Sequence, residues 1–287
     1  MTSKLSKPTR WKRRVLYFAI GLFVAYLAGC YWLAGRYLSP PQYDNPRDPI
    51  FTLDHLGQSS LWTVTPKDPK AVFILCHGYQ GRQAAWTEVA RFLGQDGYAI
   101  FVPSFPGHDS HPDPVTGFGL KERDIIGEVA SLARTRYPKH AIVVVGISMG
   151  GAAAWLASEK FPDRIDAIAT EGAFTRMNDA TNCYFDRALP GGRYLLAPVR
   201  WIAQSKSGVD PMSINPVESA MKWRGKPALV MHGALDQVFP VAFAQELGQA
   251  TGTEPWIIPG AGHAYGFATD PTGYIARLEA LASEARS

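Results

Sequence analysis

The chain has 287 residues, 46% of them drawn from AVILMFWYC, enough to bury one large core or two modest ones. Its net charge of +4 is carried by the first 14 residues, where Lys4, Lys7, Arg10, Lys12, Arg13 and Arg14 stand without an acid; setting those six aside from 29 leaves 23 basic residues against 25 acidic ones. The remainder therefore offers no basic patch, and no aromatic–basic interleaving, that would suit nucleic acid.

After the cationic start comes "VLYFAIGLFVAYLAGCYWLAG", Val15 to Gly35, 21 residues without a charge. At about 1.5 Å per residue, a helix of this length crosses a hydrocarbon core of roughly 30 Å. The positive flank predicts a single-pass anchor over residues 1–35, with its N-terminus inside and the following domain extracytoplasmic or periplasmic. A second reading competes. Leu27-Ala28-Gly29-Cys30 resembles the lipobox of bacterial lipoproteins, in which residues 1–29 would be removed and Cys30 would carry the lipid. The apolar continuation "YWLAG" beyond Cys30 argues against it. Both readings place the domain outside a membrane. Three cysteines are too few for a disulfide framework, although an oxidising compartment would permit a Cys76–Cys183 bridge.

Residues 36–50, with Pro40, Pro41, Pro46 and Pro49, read as an extended linker, and a single domain follows over 51–287. "LWTVT" is a strand, and "AVFILC" (71–76) is an apolar run of the kind buried on both faces. "AAWTEVARFLGQDG" reads as a helix closed by Gly94 or Gly97, and "YAIFVPS" (98–104) as a strand. Ile125, Ile126, Val129, Leu132 and Ala133 make a helical stripe ended by Pro138. "AIVVVG" (141–146), "IDAIAT", "PALVMHG" (227–233) and "EPWIIPG" (254–260) supply further strands, and "MGGAAAWLASEKF" a small-residue helix. This alternation predicts an α/β fold with a mostly parallel, doubly covered sheet. Residues 173–225 break the rhythm and read as a helical cap inserted between strands.

The chemistry centres on "AIVVVGISMGGAAAW", a strand feeding a helix through Gly-x-Ser-x-Gly. Such a turn strains the serine backbone and leaves no room for side chains beside it, while the helix N-terminus favours negative charge. The turn resembles the nucleophile elbow of α/β hydrolases, and that resemblance implies a base after the last strand, where His263 lies in "WIIPGAGHAYG", and an acid after the preceding strand, where "LVMHGALDQVFP" supplies Asp236. Glu171, in "TEGAF" after an earlier strand, is the rival acid.

On these motifs the chain resembles the α/β-hydrolase superfamily, from about residue 51 to the end. "HGYQGR" resembles that family's His-Gly loop and "SFPGHDSH" the loop after its next strand, while "GISMGGAAA…FPDRIDAIATEGAF" is similar to the membrane-anchored, esterase- and peptidase-like branch. The resemblance implies Ser148 as nucleophile, His263 as base and Asp236 as its orienting acid, in the chain order this fold uses. It further implies an oxyanion hole of the Tyr79 and Met149 backbone N–H groups, hydrolysis of an ester or thioester through an acyl-enzyme, and no cofactor. A peptidase with the same triad remains open, because the triad does not separate ester from amide. A non-catalytic binding protein would have no need of all three residues. The expected partners are a lipid-like acyl substrate and the membrane. His77 and His232, each before a glycine, read as loop-stabilising. His108 and His111 lack a third ligand and a regular frame, so no metal is expected there. The aromatics of 184–202 read as cap core, some of them lining an acyl pocket.

Overall fold

The computed structural model describes residues 10–109 and 111–285, so Lys4 and Lys7 of the cationic start lie outside the described residues. Helix α1 (Arg10–Leu38) takes up the apolar run and continues three residues beyond its expected end. Most of it stands clear of the protein; Cys30, Ala34 and Leu38, spaced four apart, form its one buried edge.

Residues 39–50 carry no helix or strand but are tied to the body rather than hanging free. Ser39 Oγ donates to the Pro114 carbonyl at 2.7 Å, and Asn45 Nδ2 to Gln83 Oε1 at 3.1 Å. Residues 36–38 of the expected linker belong to α1, and the rest is laid against the surface by polar side chains between the prolines.

The domain then runs β1 (Thr52–Leu56), β2 (Ser59–Val64), β3 (Val72–Cys76), α2 (Thr87–Gln95), β4 (Ala99–Pro103), α3 (Leu120–Arg136), β5 (Ile142–Ile147), α4 (Met149–Lys160) and β6 (Ala167–Glu171). Three helices follow, α5 (Met177–Ala188), α6 (Gly192–Leu195) and α7 (Ala197–Ser207), then α8 (Pro216–Lys222), β7 (Ala228–Gly233), α9 (Ala242–Thr251), β8 (Trp256–Ile258), α10 (Gly266–Thr269) and α11 (Pro271–Glu284). The strands form one eight-stranded sheet in the order β1-β2-β4-β3-β5-β6-β7-β8. Only the pairs β1/β2 and β2/β4 are antiparallel.

Strand β1 is absent from the sequence reading. Its "TLDHL" is short and largely exposed, so the only cue is alternation, and it is held as the edge of a hairpin turned at Gly57 (φ +59). The helix after β3 begins later than expected, because Gln83–Trp86 form a 3-10 turn before α2.

The apolar strands are continuous because both faces are buried. In β3, Val72, Ile74 and Cys76 enter the core under α3 and α4, while Phe73 and Leu75 enter the core under α2 and α11. A third apolar cluster joins the buried edge of α1 to Phe185, Val199 and Ala203 and reaches Met149 at the start of α4. Of the expected 173–225 insertion, α5–α7 sit over this cluster, whereas α8 packs against α4 and α9 beside the sheet. Cys76 and Cys183 are free thiols, not a bridge.

Candidate active site

The C-terminal ends of β3, β5, β6, β7 and β8 lie side by side, and the loops leaving them converge, as expected at the carboxyl edge of an open α/β sheet. Ser148 follows β5 directly and caps α4 with φ 52° and ψ −116°, a conformation costing a side-chain-bearing residue on the order of 1–3 kcal/mol. Its N–H donates to the Glu171 carbonyl at 2.8 Å, which holds the turn to β6. The glycines are required by contact. A Cβ on Gly146 would lie 2.4 Å from the Gly150 carbonyl oxygen, and one on Gly150 would lie 2.4 Å from that of Cys76. The first turn of α4 places the Met149 N–H among the unpaired donors of a helix N-terminus.

Asp236 follows β7 and His263 follows β8. His263 Nδ1–H donates to Asp236 Oδ2 at 2.7 Å, and Asp236 Oδ1 accepts the N–H groups of Val238 at 2.7 Å and Phe239 at 2.9 Å. Burial works against the charge of Asp236, but the bond to His263, its charge and the two amides outweigh it, so the carboxyl titrates below the usual aspartate range. The Phe239 ring meets His263 edge-on at 5.2 Å. Gly172 (φ +57) backs the pair; a Cβ there would come within 3.2 Å of the His263 ring. His232 gives its Nε2–H to the Phe239 carbonyl at 3.1 Å and lies 3.3 Å from Asp236 Oδ2. Burial lowers its pKa, so a neutral imidazole steadies the loop that carries Asp236.

Glu171 goes elsewhere. Its buried Oε1 accepts the Gly266 N–H at 2.7 Å, and burial raises its pKa, with the Gly266 bond opposing. Of the two acids weighed from sequence, Asp236 is the one bonded to His263.

The loop after β3 carries Tyr79, and a Cβ on Gly78 would touch both the Ile147 carbonyl oxygen and Ser148 Cβ at 3.1 Å, so this loop lies directly against the serine turn. Beneath it His77 Nε2 pairs with Asp109 Oδ2 at 2.6 Å, both buried, and His77 Nδ1–H donates to the Gly78 carbonyl at 3.0 Å. Burial disfavours the charged ring, yet the Asp109 charge and contact overcome it and raise the His77 pKa. His108 gives Nδ1–H to the Pro106 carbonyl and accepts the Gln80 N–H at Nε2, the pattern of a neutral imidazole, and burial lowers its pKa to about 4. His111 Nε2 meets Ser59 Oγ at 2.7 Å. The two histidines thus turn to separate partners. Asp109 escapes a sequence reading because its partner, His77, is 32 positions away.

Ser148 and His263 open into one cavity of about 430 Å³ whose walls are otherwise mainly apolar, with Phe118, Phe174, Met177 and Tyr184 prominent. Helix α5 roofs it. Tyr79 and Met149 line it as well, and Cys30 lies apart, buried on α1. Tyr37, from the end of α1, is also part of the wall; nothing in "GRYLS" signals this, since the anchor reading ends two residues earlier. Tyr194 and Trp201, expected in the cap core, stand 78% and 67% exposed, because α6 and α7 turn them away from the sheet.

Comparison with known proteins agrees with this architecture. Residues 71–196 match the family model described as alpha/beta hydrolase fold. The chain is similar to the Pyrococcus furiosus esterase Pf2001, at 20% identity and a TM-score of 0.68, over 86% of this chain and 97% of that one. It is similar in sequence to a monoacylglycerol lipase of Mycolicibacterium smegmatis, 24% identical over 42% of this chain and 44% of the relative. Esterase PIR7B of Oryza sativa is 27% identical over 54% of this chain and 59% of its own length. The chain thus spans about half the length of the curated relatives it matches. Its fold is the α/β-hydrolase fold.

Proposed function

We propose that the protein is a membrane-anchored serine hydrolase that cleaves a carboxylic ester or thioester of a lipid-like acyl substrate. One observation carries this reading: Ser148, on its strained turn, and His263, held on Asp236, open into the same apolar cavity. In this reading Ser148 Oγ attacks the acyl carbonyl while His263 Nε2 takes its proton and returns it to the leaving alcohol or thiol. Asp236 fixes the ring and stabilises the imidazolium. The oxyanion is met by the backbone N–H groups of Met149 and Tyr79, each such donor being worth about 3–4 kcal/mol. Water activated by His263 then releases the acid. No cofactor is needed.

The names carried by the similar proteins, esterase and lipase, support ester over amide. So does the cavity wall: it holds Arg187 and no carboxylate side chain that would pair with the ammonium of a peptide N-terminus. Helix α1 supports the anchor, being 29 residues long, apolar and largely uncovered. Cys30 is buried against α7, which favours a retained helix over lipidation at that thiol. The basic residues flanking the helix favour an inside N-terminus and an extracytoplasmic domain. We read residues 51–287 as the catalytic domain, with α5–α7 as its cap.

A fluorophosphonate probe tests this on the full chain in detergent. Labelling at Ser148 is expected, with none in Ser148→Ala and slow labelling in His263→Ala. A folded sample that takes no label sinks the hydrolase reading. Turnover of aminoacyl amides without turnover of acyl esters moves it to a peptidase.

A further inference from the structure

A second cavity of about 290 Å³ adjoins the first. The two share Tyr37, Tyr79, Gln80, Tyr184 and Ala188 as walls, so they adjoin at these residues. Its far wall is the last two turns of α1, with Trp32, Leu33 and Arg36, facing Leu196 and Val199 at the α6–α7 end of the cap. Tyr37 stands at this junction, stacked on Phe118 at 4.7 Å and bonded through its carbonyl to the Tyr79 hydroxyl at 3.0 Å.

The seam that forms this cavity is built, not incidental. Tyr26 Oη donates to the Leu195 carbonyl at 2.6 Å, Lys206 Nζ lies 4.3 Å from the Tyr31 ring centre, and Cys30, Ala34 and Leu38 join the apolar cluster of Val199 and Ala203. The adjoining surface matches a bilayer interface. From Asp186 to Asp210 there are four basic residues between the two acids, Arg193 pairing with Asp186 and Arg200 with Asn178 and Asn182, and Tyr194, Leu195 and Trp201 are exposed.

We infer that the second cavity is a tail subsite: it takes the distal part of a long acyl chain whose ester carbonyl lies at Ser148, and α1 is one of its walls. This rests on the hydrolase reading above and names the substrate's chemistry, a single long aliphatic chain reaching the site along α1 from the bilayer. The occupant follows from continuity, since the cavity is mainly apolar, shares its side-chain wall with the reaction-site cavity and borders helix α1 on the other side. Helix α1 therefore selects substrate as well as tethering the domain.

Two measurements on the full chain in nanodiscs test it. Leu33→Trp and Leu196→Trp each fill the subsite. The ratio of kcat/KM for the dodecanoyl to that for the butanoyl p-nitrophenyl ester is expected to fall roughly tenfold or more, the loss of two or more buried methylenes. A ratio equal to that of the unsubstituted protein, with both esters falling together or neither falling, overturns the proposal. The second measurement does not depend on how the variants fold. A fluorophosphonate with a twelve-carbon chain ending in a diazirine is attached at Ser148 and irradiated. Cross-links to the peptide Trp32–Tyr37 or to Leu196 are expected. Cross-links confined to other segments overturn the tail subsite while leaving the hydrolase reading intact, whereas absence of any Ser148 adduct removes the hydrolase reading itself.

Discussion

Two histidine–aspartate pairs stand within this domain at nearly the same separation, 2.7 Å for His263–Asp236 and 2.6 Å for His77–Asp109. Chemically they are alike; their surroundings make them different. His263 keeps a fifth of its surface open and faces the cavity that holds Ser148, with only one ring nitrogen engaged. His77 is sealed, and both its nitrogens face acceptors, so its proton has nowhere to go. A paired histidine is thus a candidate base only when one nitrogen remains free toward a reachable space. The closed pair instead shapes the loop that carries Tyr79.

Substitutions can break that contrast. Ser148→Ala or His263→Ala is expected to lower kcat/KM about 10⁴- to 10⁶-fold, with Tm moved by no more than about 2 °C, read by ester hydrolysis and thermal unfolding. Asp236→Asn should lower kcat by about 10³- to 10⁴-fold, because an amide in its place presents the wrong tautomer to His263. Asp109→Asn should act the other way round. Leaving His77 buried without its partner costs about 3–5 kcal/mol and lowers Tm by roughly 6–15 °C, while turnover per folded molecule stays within about tenfold. A large loss of kcat at unchanged Tm would bring the sealed pair into the reaction and end the distinction.

The pH dependence sharpens it. Because the folded pKa of His77 is raised above 6.5, its contribution to stability is complete below that value and fades as pH climbs through the folded one. Asp236 has the opposite sign: its depressed pKa contributes above 3.8 and is lost as pH falls through the folded value. The smallest effect is expected at Glu171. Its raised pKa means the folded chain binds a proton that the unfolded chain has released, so stability declines as pH rises above 4.5. Glu171→Gln should flatten that decline in a pH series of unfolding midpoints and leave kcat nearly unchanged.

Much of this was legible in the sequence where a local pattern has one physical meaning. Short, β-branched runs such as "AIVVVG" favour strands buried on two faces, and "GISMGG" needs its glycines because backbone fills the space where their side chains would be. What escaped depends on distance along the chain. Asp109 is recognisable only beside His77, and Tyr37 only once α1 is seen to lean on α7. Strand β1 escaped because an exposed edge needs little hydrophobicity. Helix α8 of the expected insertion packs against α4 and α9, and its "PVESAMK" reads the same whether it covers a sheet or a cavity.

The contact between Gly150 and the carbonyls of Cys76 and His77 has a consequence for anyone who would re-engineer the protein. Residues 76–79 and 146–151 interlock like two halves of one casting, and Gly78 closes the joint from the other side. A library that varies one half against a fixed partner will fill with clashes before it samples any new specificity. The two should be exchanged together, as a single cassette, with diversity confined to α5 and the end of α1, whose residues line the cavities.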